Sequence, residues 1–350
     1  MGNFMKETIN IKDVAERANV SIATVSNVIN GKGRVSTNTI SKVKKVIEEL
    51  NYSPSMSARN LKTKKSHLIG VIVPTSMPGR LQDNPFYWDL VTGIEEDARD
   101  KQFHVILMGV ADGDEKGLSI VKERQLDGLI VVGGYEGSLT VEQIRKLNVP
   151  SVFMDSYISD PDLYQVCIDD KLGAYQATKH LIDLGHENIA ILLGDIPYEE
   201  SHRYGVLHER ILGYKEALDE KGIAFDSQLI ISLPTSMEGG YKAAKEIAKR
   251  KEITAVFSFS DVSAMGLLRG FDEMGINVPT DISVVGFDDL FLSEYTSPPL
   301  TTVHQDIVAK GQTAIMHLLD QIENKRMINY RKVVLPIEMK VRKTTSSVQC

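Results

Sequence analysis

From Leu68 to Asp289 the chain repeats one rhythm of hydrophobic and polar positions. Short runs with almost no polar residue (LIGVIVP, FHVILMG, GLIVVGG, PSVFMD and QVCIDD) are separated by longer stretches in which apolar residues recur every three or four positions. A run that is apolar on both alternating faces is a strand covered on both sides, so the pattern predicts parallel sheets wrapped by helices. Helices are expected over residues 85–101, 115–124 and 141–146. After Asp170 the rhythm resumes with NIAILLGD, LIISL, AVFSF and DISVVGFDD. The helices expected there cover 173–184, 209–220, 240–249 and 264–274. Two successive runs imply two open wound sheets, each with a crevice at the carboxyl ends of its strands.

The first 52 residues carry a different pattern, that of three short amphipathic helices. NIKDVAERANV places Ile11, Val14, Ala15 and Ala18 on one stripe, with Asn10 as the N-cap. SIATVSNVING starts at a Ser21 cap, turns Val25, Val28 and Ile29 inward and stops at Gly31. The third helix buries Ile40, Val43, Ile47 and Leu50. The outward face of the second is unusual. Ile22, Ala23, Thr24, Ser26 and Asn27 are short and uncharged, where a solvated face favours Lys and Glu. Such a face suits a helix pressed into a major groove, where Asn reads base edges and Ile or Ala meets a thymine methyl. The tight turn between Ala18 and Ser21 fits a helix-turn-helix unit.

Charge sharpens this division. Net charge is -7, yet residues 1–65 hold 12 Lys/Arg against 5 Asp/Glu, and the remainder 28 against 42. A basic head on an acidic body implies that only the head meets a polyanion. Two cysteines, Cys167 and Cys350, make neither a disulfide framework nor a metal quartet. Without a signal-like start or a membrane-length apolar run, the chain is expected to be cytoplasmic, with no membrane partner. No P-loop, dinucleotide glycine fingerprint, HExxH or nucleophile elbow is present, so neither enzymatic activity nor a cofactor is expected.

The segments INIKDVAERANVSIATVSNVINGKGRVS and LNYSPSMSARNLKTKKSHLIGVIVP, with the body of the chain as far as about residue 340, strongly resemble the LacI/GalR family of bacterial transcription regulators. The resemblance implies an all-α helix-turn-helix headpiece over 9–53 and a hinge helix and linker over 54–66. It further implies a two-lobed α/β core over 67–343, like the type I periplasmic binding proteins with parallel sheets, and a tail over 344–350. In such a fold the chain crosses between lobes three times. TTVHQD (301–306) is expected to return to the first lobe and VVLPIEMKV (333–341) to the second. The short polar tail lacks a tetramer-forming helix, which leaves a homodimer.

Position by position, the resemblance makes Ile22, Ala23 and Asn27 the base readers, with Ser21, Thr24, Ser26 and Lys62 on phosphate or the groove wall. Ser55 to Leu61 matches the hinge helix, and Leu61 takes the place of a leucine that wedges into the minor groove. An apolar wedge unstacks a base step and kinks the duplex while basic neighbours hold phosphates.

In the body, polar residues that directly succeed strands are where a ligand would be gripped: Asp155, Asp169, Asp170, Asp195, Asp261 and Asp288. Carboxylates with an arginine hold vicinal hydroxyls through charge-assisted hydrogen bonds. Each such Asp also has an ordinary reading as a helix N-cap. NPFYWDL adds three aromatics at a helix start, either core or a platform for a sugar ring. The resemblance favours Phe86, Tyr87, Arg210 and Asp288 as cleft-lining residues, then Asp155 and Asp261. Residue 260 is Ser where Asn is common. The expected protein is a repressor that binds a palindromic double-stranded operator and answers to a sugar or sugar phosphate. A purine effector clamped by the aromatics is the alternative.

Overall fold

The computed structural model describes residues 9–29, 31–52, 65–74, 84–194, 196–203, 205–323 and 331–348. It forms two compact units, residues 1–66 and 67–350.

In the first unit, α1 (Ile11–Ala18), α2 (Ile22–Ile29) and α3 (Thr37–Glu49) enclose a small core of Val14, Ala15, Ala18, Val25, Val43 and Val46. Each helix begins where its sequence supplies a cap. The Asn10 side chain accepts from the Lys12 amide at 2.8 Å, Asp13 accepts from the Asn10 amide at 2.7 Å, and Ser36 accepts from Thr39 at 3.2 Å. Asn19 ends α1 in the left-handed region (φ 48°), which lets three residues turn the chain into α2. The stripe of α3 differs from expectation: Val43 and Val46 are buried, whereas Ile40, Ile47 and Leu50 are only half-buried.

The second unit holds two six-stranded sheets. Its elements are β1 (Leu68–Pro74), α4 (Phe86–Asp100), β2 (His104–Val110), α5 (Glu115–Glu123), β3 (Gly128–Val132), α6 (Leu139–Leu147), β4 (Ser151–Met154), β5 (Tyr164–Ile168), α7 (Asp170–Asp183) and β6 (Ile189–Leu192). They continue with α8 (Gly205–Glu220), β7 (Ile230–Ile231), α9 (Met237–Ile247), β8 (Ala255–Ser258), α10 (Asp261–Glu273), β9 (Ser283–Asp288), β10 (Thr301–Gln305), α11 (Ile307–Ile322), β11 (Lys332–Leu335) and β12 (Ile337–Lys340). The first sheet runs β11-β5-β4-β3-β1-β2, parallel throughout. The second runs β12-β10-β9-β8-β6-β7, parallel except for antiparallel β12. Both share a doubly wound strand order, whose ligand crevice lies beyond the carboxyl strand ends.

The chain crosses between lobes at 168–170, 305–307 and 335–337. This corrects two expectations. TTVHQ does not return to the first lobe. It pairs with β9 in parallel from Thr301↔Val285 and stays in the second sheet, and the crossing comes at Asp306, which caps α11 by accepting from Ala309 at 2.8 Å. VVLPIEMKV likewise splits at Pro336, with Val333 to Leu335 in the first sheet and Ile337 to Lys340 in the second. The segment expected as a tail is docked: Thr344 is fully buried, its hydroxyl donating to Val284 O at 2.6 Å and accepting from Thr301 N at 2.8 Å.

Helix α11 comes directly after β10 of the second lobe yet packs on the first. Its Ile307, Ala314, Ile315 and Leu318 share a core with Leu90, Ile94 and Ala98 of α4. Two glycines make this approach possible. A Cβ at Gly93 would lie 2.2 Å from Val308 O, and one at Gly311 2.5 Å from Leu90 O. Val262 and Leu290 of the second lobe join the same apolar cluster, so the lobes touch through side chains as well as crossovers.

Candidate functional site

Two sites emerge, one in each unit. In the head, Ser21 caps α2, its hydroxyl accepting from the Thr24 amide at 3.1 Å and lying 2.9 Å from the Thr24 hydroxyl. With Val25 buried beneath, Ser21, Ile22, Ala23 and Asn27 are exposed or partly so, while Thr24 and Ser26 are half-buried. Ile22 is 45% exposed. Ser55, Leu61 and Lys62, together with Asp195 of the body, lie outside the described residues.

In the body, residues from both lobes converge where the carboxyl ends of β4, β5, β9 and β10 meet. Asp155, just past β4, adopts a left-handed backbone (φ 49°) and receives the Lys310 ammonium on both carboxylate oxygens, at 2.8 and 3.1 Å. Burial raises the Asp155 carboxyl, and Lys310 opposes that rise. Asp288, at the end of β9, accepts from Gln305 Nε2 at 2.7 Å. Burial pushes it up to about 6, against the pull of Arg210. Tyr87 at the start of α4 feels both carboxylates. Burial first, then Asp155 and Asp288, push its hydroxyl up to about 12. The phenol therefore stays neutral beside two acceptors from opposite lobes.

Arg210 is 6% exposed, with Nε donating to Asp170 Oδ1 at 2.8 Å and one terminal nitrogen donating to Phe259 O. Its guanidinium lies over the Phe287 ring, 3.5 Å from the centroid. Burial alone would lower its pKa, but Asp170, Asp288 and Asp155 outweigh it and hold the charge firmly. Tyr157, reaching from the first lobe, donates to Asp170 Oδ2 at 2.6 Å. An added Cβ at Gly205 would sit 2.4 Å from the Tyr157 Cβ, so glycine is required where α8 begins.

The strand-end aspartates separate into different jobs. Asp169 is an N-cap, accepting from Leu172 at 2.9 Å, which starts α7 three residues earlier than expected and makes Asp170 its first residue. Asp155 and Asp288 belong to the cleft. Asp261 departs from expectation: one oxygen accepts from the Leu290 amide at 3.0 Å and Ser293 Oγ at 2.6 Å, the other from Thr302 Oγ1 at 2.6 Å. With all three donors supplied by the second lobe and no solvent exposure, Asp261 braces the loop after β9 instead of gripping a ligand. Its neighbour Ser260 is 6% exposed, and its Oγ has no partner among the described residues. It adjoins Phe259, whose carbonyl Arg210 holds.

Of the aromatics, Phe86 is 9% exposed and belongs to the first-lobe core, Tyr87 packs edge-on to it (centroids 5.5 Å apart, planes at 87°), and Trp88 is 52% exposed. Sequence reasoning passed over Lys310, Gln305 and Tyr157. Lys310 did leave a signal, because it falls on the apolar stripe of α11, between Ile307 and Gly311. Among the described residues there is no acidic or His/Cys cluster able to hold a metal, and no helix is long and apolar enough to cross a membrane.

A helix-turn-helix head joined to a two-lobed body with a polar crevice defines a ligand-responsive DNA-binding regulator. Comparison with known proteins bears this out. Residues 10–55 match the family described as bacterial regulatory proteins, lacI family, and residues 178–345 match the periplasmic binding protein-like domain. The chain is 36% identical over 350 residues to the HTH-type transcriptional regulator DegA of Bacillus subtilis (strain 168), covering 98% of this chain and 99% of that protein. It is 33% identical over 344 residues to the ribose operon repressor of Haemophilus influenzae, covering 97% and 99%. A lac repressor dimer bound to operator and the anti-inducer ONPF has the same fold, with a TM-score of 0.83 at 28% identity over 97% of this chain and 100% of that one. The chain belongs to the lacI family: it is a DNA-binding transcriptional regulator and not an enzyme.

Proposed function

We propose that this regulator represses carbohydrate-use genes by binding a palindromic operator as a homodimer, and that a neutral sugar held between the lobes of the body sets its operator affinity. The observation that carries the reading is that Asp155 of the first lobe and Asp288 of the second are joined through Lys310 and Gln305, with Arg210 close enough to feel both carboxylates. Acceptors from both lobes suit a ligand with hydroxyls on both sides, and a ligand that joins them favours one lobe arrangement over the other.

Charge narrows the sugar class. Asp155, Asp170 and Asp288 face Lys310 and Arg210, three carboxylates against two cations. That balance of -1 disfavours a sugar phosphate. The purine alternative draws less support, because Phe86 and Tyr87 stand at 87° and offer no parallel pair of rings for a planar base. The Ser260 hydroxyl, which has no partner among the described residues, is proposed as a further contact for a sugar hydroxyl.

The experiment is a melting curve of the full chain against neutral sugars, sugar phosphates and purines. A ligand at 100 times its dissociation constant adds about 2.7 kcal/mol, well within reach of such a measurement. A shift with purines and none with sugars would replace the reading. Binding also has an expected pH dependence. Asp288 accepts from hydroxyls more strongly when ionised, and its carboxyl is pushed up to about 6. Affinity should therefore fall as pH drops through about 6, and Asp288→Asn should flatten that dependence while weakening binding throughout.

In the head, Asn27 is the outward-facing polar residue best able to form paired hydrogen bonds to a base edge. Asn27→Ala is expected to lose about 1–3 kcal/mol of operator affinity and to relax preference at one base pair, leaving the salt slope of binding unchanged. Fluorescence anisotropy on a selected operator and its single-base variants checks both. Leu61 is proposed as the minor-groove wedge, with Ser55 and Lys62 as further DNA contacts.

A further inference from the structure

Lys310 has no solvent exposure and lies on the buried stripe of α11. An ammonium taken out of water is tolerated only when its protons are engaged. Here all three are used inside the protein: two reach the carboxylate oxygens of Asp155, at 2.8 and 3.1 Å, and one reaches Gln305 Oε1. The third bond fixes the Gln305 amide. With its oxygen on Lys310, its nitrogen must face Asp288, where it donates to Oδ1 at 2.7 Å. The relay Asp155–Lys310–Gln305–Asp288 thus ties the carboxylate at the end of β4 to the one at the end of β9. The glycine contact between α4 and α11 holds the lysine's backbone in place, and the Phe86 ring lies 5.7 Å from Nζ.

This arrangement has a chemical consequence. The cleft contains a second cation that offers a ligand no N–H, so the charge that would attract a carboxylate or phosphate is consumed. Asp288 keeps Oδ2 as an acceptor of fixed direction, and Lys310 counters the rise that burial imposes on the Asp155 carboxyl. We propose that Lys310 is the positioning residue that sets effector specificity, aiming Asp155 and Asp288 at a neutral, hydroxyl-rich ligand and denying an anionic one a partner. The inference rests on the cleft being the effector site.

The groups facing Asp155 are Lys310 from α11, Asp170 from α7, Arg210 from α8, Tyr87 from α4 and Cys167 from β5. In Lys310→Met, Asp155 loses its ammonium contact, so its carboxyl should take up a proton more readily. The test compares full-length wild type, Lys310→Met and the double variant Asp155→Asn/Lys310→Met by calorimetry across about pH 5.5 to 8.5. The neutral probes are D-ribose, D-glucose, cellobiose and maltose, and the anionic ones D-gluconate and D-glucuronate. Wild type should take a neutral sugar and refuse both acids. Lys310→Met should bind that sugar at least about tenfold more weakly at acid pH, where its Asp155 takes up a proton, and recover toward alkaline pH, and the double variant should stay weak with a wild-type pH profile. A merely structural role would lower the melting temperature without changing the profile. Wild-type affinity and profile in Lys310→Met would overturn the assignment, as would binding of either acid by wild type.

A ligand-free arm separates this inference from the sugar reading. If no neutral probe binds wild type, that reading fails, and melting decides Lys310 alone. A raised carboxyl destabilises the fold as pH climbs through its folded value, so Lys310→Met, unlike the double variant, should lose stability toward alkaline pH. Parallel pH dependence in the two variants would overturn the relay.

Discussion

Arg210→Met is expected to abolish the melting shift that a bound sugar produces and to lower the stability of the ligand-free protein by about 3–5 kcal/mol, the cost of leaving a buried charge without its partner. The geometry leaves little room for relief. Asp170 is 1% exposed, and without Arg210 its remaining side-chain contact is the Tyr157 hydroxyl. The Phe259 carbonyl loses its donor and the Phe287 ring its cation in the same step. Arg210→Lys should not rescue the function. A single ammonium cannot reach Asp170 and Phe259 together while lying flat on an aromatic face. The double variant Asp170→Asn/Arg210→Met removes the unpaired charge, so it should recover most of the stability and none of the sugar response. That split distinguishes a ligand-binding arginine from a merely structural one. A sugar-induced shift surviving in Arg210→Met would place the effector elsewhere.

Much of the architecture was open to reading because the relevant signals are local. A strand buried on both faces has no polar residue to hide, and a helix on a small core shows its stripe within two turns, as Val14, Ala15 and Ala18 do. The caps Asn10 and Ser21 announce themselves through side chains that bond within three residues. What escaped was decided by distant partners. TTVHQ and the start of VVLPIEMKV have equally apolar patterns, and only pairing with β9 or β5 tells which lobe each serves. Lys310 stands on an apolar stripe, but the partners that engage it, Asp155 and Gln305, come together only in the fold. Arg210 was singled out only through a resemblance, which also favoured Asp288 among the strand-end aspartates, since an arginine inside an amphipathic helix is ordinary by its spacing alone.

Asp261 and Asp288 show the same limit most clearly, because each is an aspartate closing an apolar strand segment and nothing local distinguishes them. Their partners do. Asp261 is held by Leu290, Ser293 and Thr302, positions 29 to 41 residues away, while Asp288 meets Gln305 and the cleft. The space around Asp261 is equally committed: a Cβ at Gly286 would lie 2.1 Å from its Oδ1. Leu290, whose amide it anchors, reaches the apolar cluster shared with the first lobe, so the brace supports the contact between lobes.

Removing that brace should therefore be costly. Asp261→Ala leaves one amide and two hydroxyls without an acceptor, at about 1–3 kcal/mol for each that finds no water, and is expected to lower stability by at least about 3 kcal/mol. Asp261→Asn should behave differently. Burial, then the nearby Asp288, push the Asp261 carboxyl up to about 8, against its three donors, so near neutrality it carries a proton. A neutral carboxyl shares one proton with a hydroxyl that turns to accept it, and an asparagine amide can do the same. With the value raised, the folded state holds the proton more tightly than the unfolded one, so this group's contribution to stability declines as pH rises from about 4 through about 8. Melting curves from about pH 6 to 9 should show wild type losing stability toward the alkaline end. Asp261→Asn should lack that decline and match or exceed wild type near pH 9, while Asp261→Ala stays low throughout. If Asp261→Asn is as damaging as Asp261→Ala at neutral pH, the carboxyl is ionised there and its three donors, not its burial, govern the site.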